Sequence, residues 1–276
     1  MNRIAIIILN YNSSADCRKC ISYLKQQQGV KPEIVVVDNC SCKDDIKVLR
    51  ELCSEQQCTL IENHENRGYN AGNNIGLRYV AKKGYRCALI ANPDMEFPQA
   101  DYLAKIVAKM EKDKEIVVCG SDIITPEGRH QNPMRESTYF EELFWPITIL
   151  RNRKNKIWFL MDYTKSGYCE KVSGCCFMIR LSFAQDIEFF DEKVFLYSEE
   201  PILAKQVINR GHKMYYLANT QAVHRHIKSE KGDPKKRIGL FEKSRKYYLE
   251  NYSGYSKFAL TCLHLSYKIH HLFYTK

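Results

Sequence analysis

Ile4–Leu9 is an unbroken run of six apolar residues, four of them isoleucine. A strand with no polar face must be covered on both sides, as parallel strands are when helices pack above and below the sheet. Ala15–Gln28 then carries a helical pattern, and Glu33–Asp38 (EIVVVD) is a second strand of the same kind. The alternation continues with a helix at Asp44–Glu55, a strand at Cys58–Glu62, a helix at Ala71–Lys83, a strand at Arg86–Ala91, a helix at Gln99–Lys112 and a strand at Glu115–Gly120. Such alternation implies βαβ units and a doubly wound α/β fold.

The regularity stops after Gly120. Residues 121–168 have weak periodicity, several prolines and glycines, and an aromatic cluster at Phe140–Trp145. It returns with a strand at Lys171–Arg180, a helix at Glu200–Arg210, a strand at Lys213–Ala218, a basic loop at His224–Arg237 and a helix from Ile238 to about Asn251. The expected organisation is three segments, 1–120, 121–237 and 238–276. The first two share one domain, and the third is a helical basic tail.

At 276 residues, with 45% apolar and 27% charged side chains, the chain can bury a sizeable core; a collagenous, disordered or disulfide-stapled chain is excluded. Charge-free runs such as Ile4–Ala15 and Phe258–Tyr267 are too short to span a membrane, and no secretory signal is evident, which predicts a cytoplasmic protein. The 12 cysteines are scattered and read as reduced thiols. Cys17 and Cys20 with Cys40 and Cys42 have the spacing of a zinc or redox site, but the first pair falls in a helix rather than a tight turn. Charge is divided unevenly: residues 1–204 carry 27 Lys+Arg against 28 Asp+Glu, and residues 205–276 carry 15 against 4. That excess points to an anionic partner (phosphate groups, nucleic acid or an anionic membrane surface), or to a solvated basic face.

Ligands of open parallel sheets bind beyond the carboxyl ends of the strands. Those ends carry Asn10–Tyr11–Asn12, Asp38–Asn39, the loop Asn66–Gly76 and Asn92–Pro93–Asp94, a polar and acidic rim. The first loop has no glycine, so neither a dinucleotide fingerprint nor a Walker lysine is present. Tyr11 can stack on a base, and Asp38 can accept from a pyrimidine N–H or ribose hydroxyls. Asp94, turned by Pro93, is either an ordinary turn residue or an oxygen ligand suited to Mg²⁺ or Mn²⁺ on a phosphate substrate. Glu199 and Glu200 open a helix, where acids are favoured by the dipole and where one can serve as general base. His224 and His226 share a face as metal ligands, phosphate contacts or surface histidines.

Together these stretches resemble the inverting, nucleotide-sugar-dependent glycosyltransferases of family 2, from about Ile4 to Tyr252. The likeness is carried by VVVDNCS (35–41), NRGYNAGNNIGL (66–77), NPD (92–94), VSGCCFMIR (172–180) and FDEKVFLYSEE (190–200), and is greatest to rhamnosyltransferase-type members of bacterial surface-polysaccharide synthesis. It implies a GT-A, Rossmann-like, mostly parallel twisted sheet flanked by helices with an acceptor-side insert. It also implies a UDP- or dTDP-linked sugar donor, Mg²⁺ or Mn²⁺, and a saccharide or lipid-diphosphate-linked acceptor, with no nucleic acid and a peripheral location on the inner face of the plasma membrane. On this resemblance Asn10, Tyr11, Asp38, Asn66, Arg67, Gly68, Gly72 and Asn92 line the nucleotide, and Gly174 and Cys175 the donor sugar. Asp94 and His224 hold the metal, Arg245 meets phosphate, and Glu200 of the Glu199–Glu200 pair is the base.

The chain departs from the family pattern at Glu200, in place of aspartate, at Ile202, where a further acid is common, and at Ile227, in place of glycine. A catalytically impaired relative, a nucleotidyltransferase and a nucleic-acid-binding module are the alternatives. The stripe Phe258, Cys262, Leu265, Ile269 and Leu272 packs on its own domain, on a homodimer partner, or on a membrane.

Overall fold

A computed structural model describes residues 3–145, 147, 160–225 and 234–274, the last five of these and 234–235 by their backbone alone. Its strands are β1 (Ile4–Asn10), β2 (Glu33–Asn39), β3 (Thr59–Asn63), β4 (Cys87–Ala91), β5 (Met95–Glu96), β6 (Ile116–Ile124), β7 (Gly167–Cys169), β8 (Cys176–Arg180) and β9 (Lys213–His224). They form one sheet in the order β3-β2-β1-β4-β8-β6-β9-β5, with β7 also paired to β9. The helices are α1 (Ser14–Lys25), α2 (Lys43–Glu55), α3 (Tyr69–Lys82), α4 (Tyr102–Lys112), α5 (Tyr139–Leu143), α6 (Leu181–Asp186), α7 (Glu199–Asn209), α8 (Pro234–Asn251) and α9 (Lys257–Tyr274).

From β3 to β4 the sheet is parallel, as the strand patterns predict. Beyond β4 it is mixed: β8 runs antiparallel to both β4 and β6, while β6 and β9 are parallel. The strand expected at Lys171–Arg180 begins only at Cys176, and the strand expected at Lys213–Ala218 runs on to His224. One face of the sheet packs Ile4, Ile6, Ile8, Val36 and Leu89 against α1, α2 and α4; the other packs Ile7, Val35, Val37 and Ile90 against α3, α6 and α7. Alternate residues of β1 thus feed two cores, which is why its sequence has no polar face. Cys17 and Cys20 are fully buried in the first core, and burial pushes both thiols up. Cys40 and Cys42 are exposed. One pair faces the core and the other solvent, so they do not form the four-thiolate site their spacing allowed.

The stretch 66–77, expected along a nucleotide, is largely spent on packing. A Cβ at Gly72 would come within 2.5 Å of Leu9 Cδ1, and one at Gly76 within 2.7 Å of Ile7 Cγ2, so these glycines seat α3 on the sheet. Gly68 has φ +103°, and a Cβ there would meet the Phe195 carbonyl oxygen at 2.2 Å. The asparagines tie α3 to the segment that leads into α7: Asn70 Nδ2 donates to the Asp191 carbonyl at 2.7 Å, and Asn74 exchanges bonds of 2.8 and 2.9 Å with the Phe190 backbone.

A third core joins Val194 and Ile202 to Tyr248 and Leu249 of α8 and Leu263 of α9. Ile202, where a further acid was the family expectation, is 1% exposed and anchors these helices. Among the described residues no helix is long and apolar enough to cross a membrane.

Gly68 and Gly84 separate the two costs of a side chain at positive φ. Gly84, at φ +75° with nothing within 4 Å of a Cβ, should lose only ~1–2 kcal/mol on Gly84→Ala. Gly68→Ala adds a backbone clash and should lose on the order of 3 kcal/mol or more. Urea unfolding of the two variants checks the ranking, and equal losses would refute the packing role of Gly68.

Candidate active site

Two side-chain groups meet at the carboxyl rim. In the first, β5 pairs with the end of β9 so that Met95 lies opposite His224. The Arg225 N–H donates to the Asp94 carbonyl at 2.9 Å. This brings Asp94 Oδ2 to 3.2 Å from His224 Nε2, both side chains being largely buried. His224 Nδ1 lies 2.9 Å from Gln131 Oε1, which directs Nε2 at the carboxylate. Burial lowers the imidazole pKa, but hydrogen bonds with Asp94 and Cys175 outweigh it and lift the group to about 10.

In the second group, the Gly174 N–H donates to Glu200 Oε1 at 3.1 Å, and Tyr69 Oη donates to the Gly174 carbonyl at 2.5 Å. A Cβ at Gly174 would lie 3.2 Å from that Glu200 oxygen, so glycine leaves room for the carboxylate. Glu199 turns behind its neighbour into a cavity walled by Tyr69, Val172, Phe177, Phe190, Leu203 and Met214. Its Oε1 is enclosed, with no hydrogen-bond partner among the described residues. Burial, and then the charge of Glu200, raise the Glu199 carboxyl to about 8. The two groups are joined covalently at Gly174–Cys175, and the Asn92 N–H donates to the Cys175 carbonyl at 2.8 Å.

The other expected ligands divide. Tyr11 is 52% exposed at the end of β1 and open to a base. Arg67 is exposed and paired with Glu192 at 3.2 Å. Asp38 is buried at the end of β2, accepting from Asn10 at 3.0 Å and from the Ser41 N–H at 3.1 Å. Asn10 is wholly buried, and its amide also donates to Ser41 and Asp45 at 3.1 and 2.8 Å. It clamps the ends of β1, β2 and α2 instead of facing a nucleotide. Asn66 Oδ1 accepts from Asn39 and from the Gly68 N–H, both at 3.0 Å, so Asn66 shapes its own loop.

Arg245 does not present itself to phosphate. It is 7% exposed and held between Glu136 and Glu142 at 2.7 and 2.5 Å. His226 and Ile227 lie outside the described residues. Gln131 and Tyr69 were missed: Gln131 lies in the segment without periodicity, and Tyr69 was visible only as a large residue inside a polar motif.

This architecture has counterparts. Residues 5–186 match the family model described as glycosyl transferase family 2, and the chain belongs to that family. It is 30% identical over 203 residues to the low-salt glycan biosynthesis hexosyltransferase Agl10 of Haloferax volcanii, covering 72% of this chain and 60% of that protein. It is 28% identical over 127 residues to the succinoglycan biosynthesis protein ExoO of Rhizobium meliloti, covering 46% of this chain and 35% of that one. The chain thus spans less than two thirds of the length of these curated relatives. Among solved structures, the mannosyltransferase PcManGT of Pyrobaculum calidifontis, in complex with GDP-Man and Mn²⁺, aligns with a TM-score of 0.63 at 17% identity, covering 98% of this chain and 70% of that one. GalNAc-T7 with UDP, GalNAc and Mn²⁺ aligns with a TM-score of 0.61 at 16% identity, covering 90% and 50%. The fold is GT-A-like.

The environment of Glu199 makes stability depend on pH. Its folded pKa lies above the ordinary 4.5, so folding takes up a proton between pH 4.5 and about 8. The stability drawn from the neutral carboxyl is complete below that window and lost as pH rises through it. Glu199→Gln, neutral throughout, should raise Tm relative to the unsubstituted protein by a margin that grows from the acid to the alkaline end. A pH-independent margin would show that Glu199 takes up no proton on folding.

Proposed function

We propose that this chain is an inverting, divalent-metal-dependent hexosyltransferase. It moves rhamnose or a similar hexose from a UDP- or dTDP-linked donor to a saccharide or lipid-diphosphate-linked acceptor, in assembly of a bacterial surface polysaccharide such as an O-antigen, capsule or cell-wall polymer. The observation that carries this reading is the junction at Gly174–Cys175, which brings the Asp94–His224 pair and the Glu200 carboxylate to one rim. Membership of the family and its hexosyltransferase relative support it.

Asp94 Oδ2 and His224 Nε2 face each other at 3.2 Å, the imidazole oriented by Gln131, and a divalent ion held between them would displace the proton that the pair shares. Among the described residues no group of three or more His, Cys, Asp or Glu converges. Asp94 and His224 would therefore hold Mg²⁺ or Mn²⁺, with diphosphate and water completing the shell. Bound there, the ion would neutralise charge on the departing diphosphate.

The protein's own part is acid–base chemistry and orientation. Glu200 takes the proton of the acceptor hydroxyl as its oxygen bonds to the anomeric carbon; the bond from that carbon to the diphosphate breaks on the opposite side. The Gly174 N–H fixes the attacking side of this arrangement by holding Glu200 Oε1. Glutamate adds a methylene to the base usual in the family, and the unsubstituted Cα of Gly174 gives that longer side chain its place. Exposed Tyr11 supplies a stacking surface for the base of the donor.

A thermal-shift panel of nucleoside diphosphates and nucleotide sugars, with and without Mn²⁺, is the direct test. One pyrimidine nucleotide should raise Tm in a metal-dependent way, and Asp94→Ala should abolish the metal dependence. Glu200→Gln should keep the shift while turnover falls ~10²–10⁴-fold. Near-normal turnover in Glu200→Gln would remove it from the role of base; no shift with any nucleotide would defeat the donor-site reading.

A further inference from the structure

Most of the apolar stripe of α9 faces away from the protein, Cys262 alone among its described side chains being half-buried beside Tyr139. Leu260, Leu263 and Tyr267 turn the other side of the helix onto the third core, leaving Phe258, Leu265 and Ile269 80%, 59% and 49% exposed. These positions fall on one face at helical spacing; the side chain of Leu272, the next in the series, lies outside the described residues. α5 adjoins α9 through Ser266 Oγ donating to the Leu143 carbonyl at 2.7 Å and Tyr139 Oη donating to the Ala259 carbonyl at 3.4 Å. Its stretch adds Phe140, Phe144 and Ile147, which are 68%, 49% and 62% exposed. Large apolar side chains concentrated on two adjoining helical segments mark an interaction surface, unlike hydrophobes scattered singly.

The charge of the α9 part of this surface selects the partner, since Glu141 and Glu142 of α5 are paired with Arg135 and Arg245. No acidic residue follows Glu250, whereas Lys257, Lys268 and Lys276 do, together with three histidines. Glu250 itself lies 3.4 Å from His264 and 3.8 Å from Lys246. We propose that the α9 face docks on an anionic lipid bilayer, its apolar stripe entering the boundary between headgroups and acyl chains and its lysines lying at headgroup level. A symmetric contact with a second copy would set the same basic face against itself, which like charge disfavours. A nucleic acid would leave the apolar stripe without a role. This inference stands apart from the reaction assigned above, because none of its residues belongs to the rim.

Co-sedimentation of the full chain with vesicles tests it. Binding should be about tenfold or more stronger on an equal mixture of phosphatidylcholine and phosphatidylglycerol than on phosphatidylcholine alone, and should weaken at high salt. The triple substitution Phe258→Ser, Leu265→Ser, Ile269→Ser should lose that binding while keeping the melting temperature and any nucleotide-induced shift. Lys257→Glu with Lys268→Glu, which leaves the apolar stripe intact, should remove the preference for the anionic vesicle. Absence of binding to both vesicles would overturn the proposal. So would sedimentation equilibrium showing a dimer that the triple substitution splits, since that outcome assigns the face to a second copy.

Discussion

Four elements hold the three residues that precede β8. The Ser173 N–H donates to Asn132 Oδ1 at 2.7 Å, and the Gly174 N–H to Glu200 Oε1 at 3.1 Å. The Gly174 carbonyl accepts from Tyr69, and the Cys175 carbonyl from the Asn92 N–H. The direction of β8 makes this convergence possible. Because β8 runs antiparallel to β4, Cys176 at its start lies opposite Ala91 at the end of β4. A parallel strand in that place would present its start at the opposite edge, and Gly174 would reach neither Asn92 nor Glu200. One reversal within a sheet that begins parallel thus brings the Asp94–His224 pair and Glu200 to either side of one peptide.

The position of Glu200 depends in turn on the clasp between α3 and residues 190–195. That segment has no strand neighbour to satisfy its backbone, and a side-chain amide, which both donates and accepts, takes the neighbour's place. Asn70 and Asn74 bond its main chain from one side, and the Tyr69 N–H donates to the Phe195 carbonyl at 2.8 Å. Glycine at 68 allows the chains to approach that closely. The asparagine-glycine motif thereby fixes the path of the chain into α7.

How much of this could be read in advance follows from what each signal measures. Apolar runs report burial on both faces, so β1, β2 and β4 were legible as strands and their carboxyl ends as a rim. Burial carries no information on direction. Cys176–Arg180 is as apolar as a parallel strand, and its reversal could not be seen. The pairing of Asp94 with His224 was legible as two candidate ligands, each on a strand end, but Gln131 was not, because its segment repeats with no period. The rim asparagines misled for a physical reason. A polar residue at a strand end satisfies either a ligand or the neighbouring main chain, and sequence alone does not show which. Asn10 and Asn66 are committed to the protein. Tyr11 stays exposed.

Glu199 and Glu200 show how environment divides two identical neighbours. Glu200 accepts from the Gly174 N–H, while one oxygen of Glu199 is enclosed with no partner among the described residues. The backbone bonds that the Glu199 carboxylate accepts from residues 197 and 199 do not offset this burial, and the carboxyl is held above its ordinary range. The C-terminal helices reinforce the arrangement. Arg245 lies between Glu136 and Glu142, and Lys171 shares Glu136, whose carboxyl these two cations hold at about 2 despite its burial. Removing one member of such a buried set strands the others, typically at a cost of ~3–5 kcal/mol. Ser244, beside Arg245, donates to the Leu196 carbonyl at 2.7 Å, and Ile202 packs on Tyr248 and Leu249. Ile202, where the family pattern has a further acid, and Arg245, which it assigned to phosphate, are here used to brace, from behind, the segment that carries Glu200.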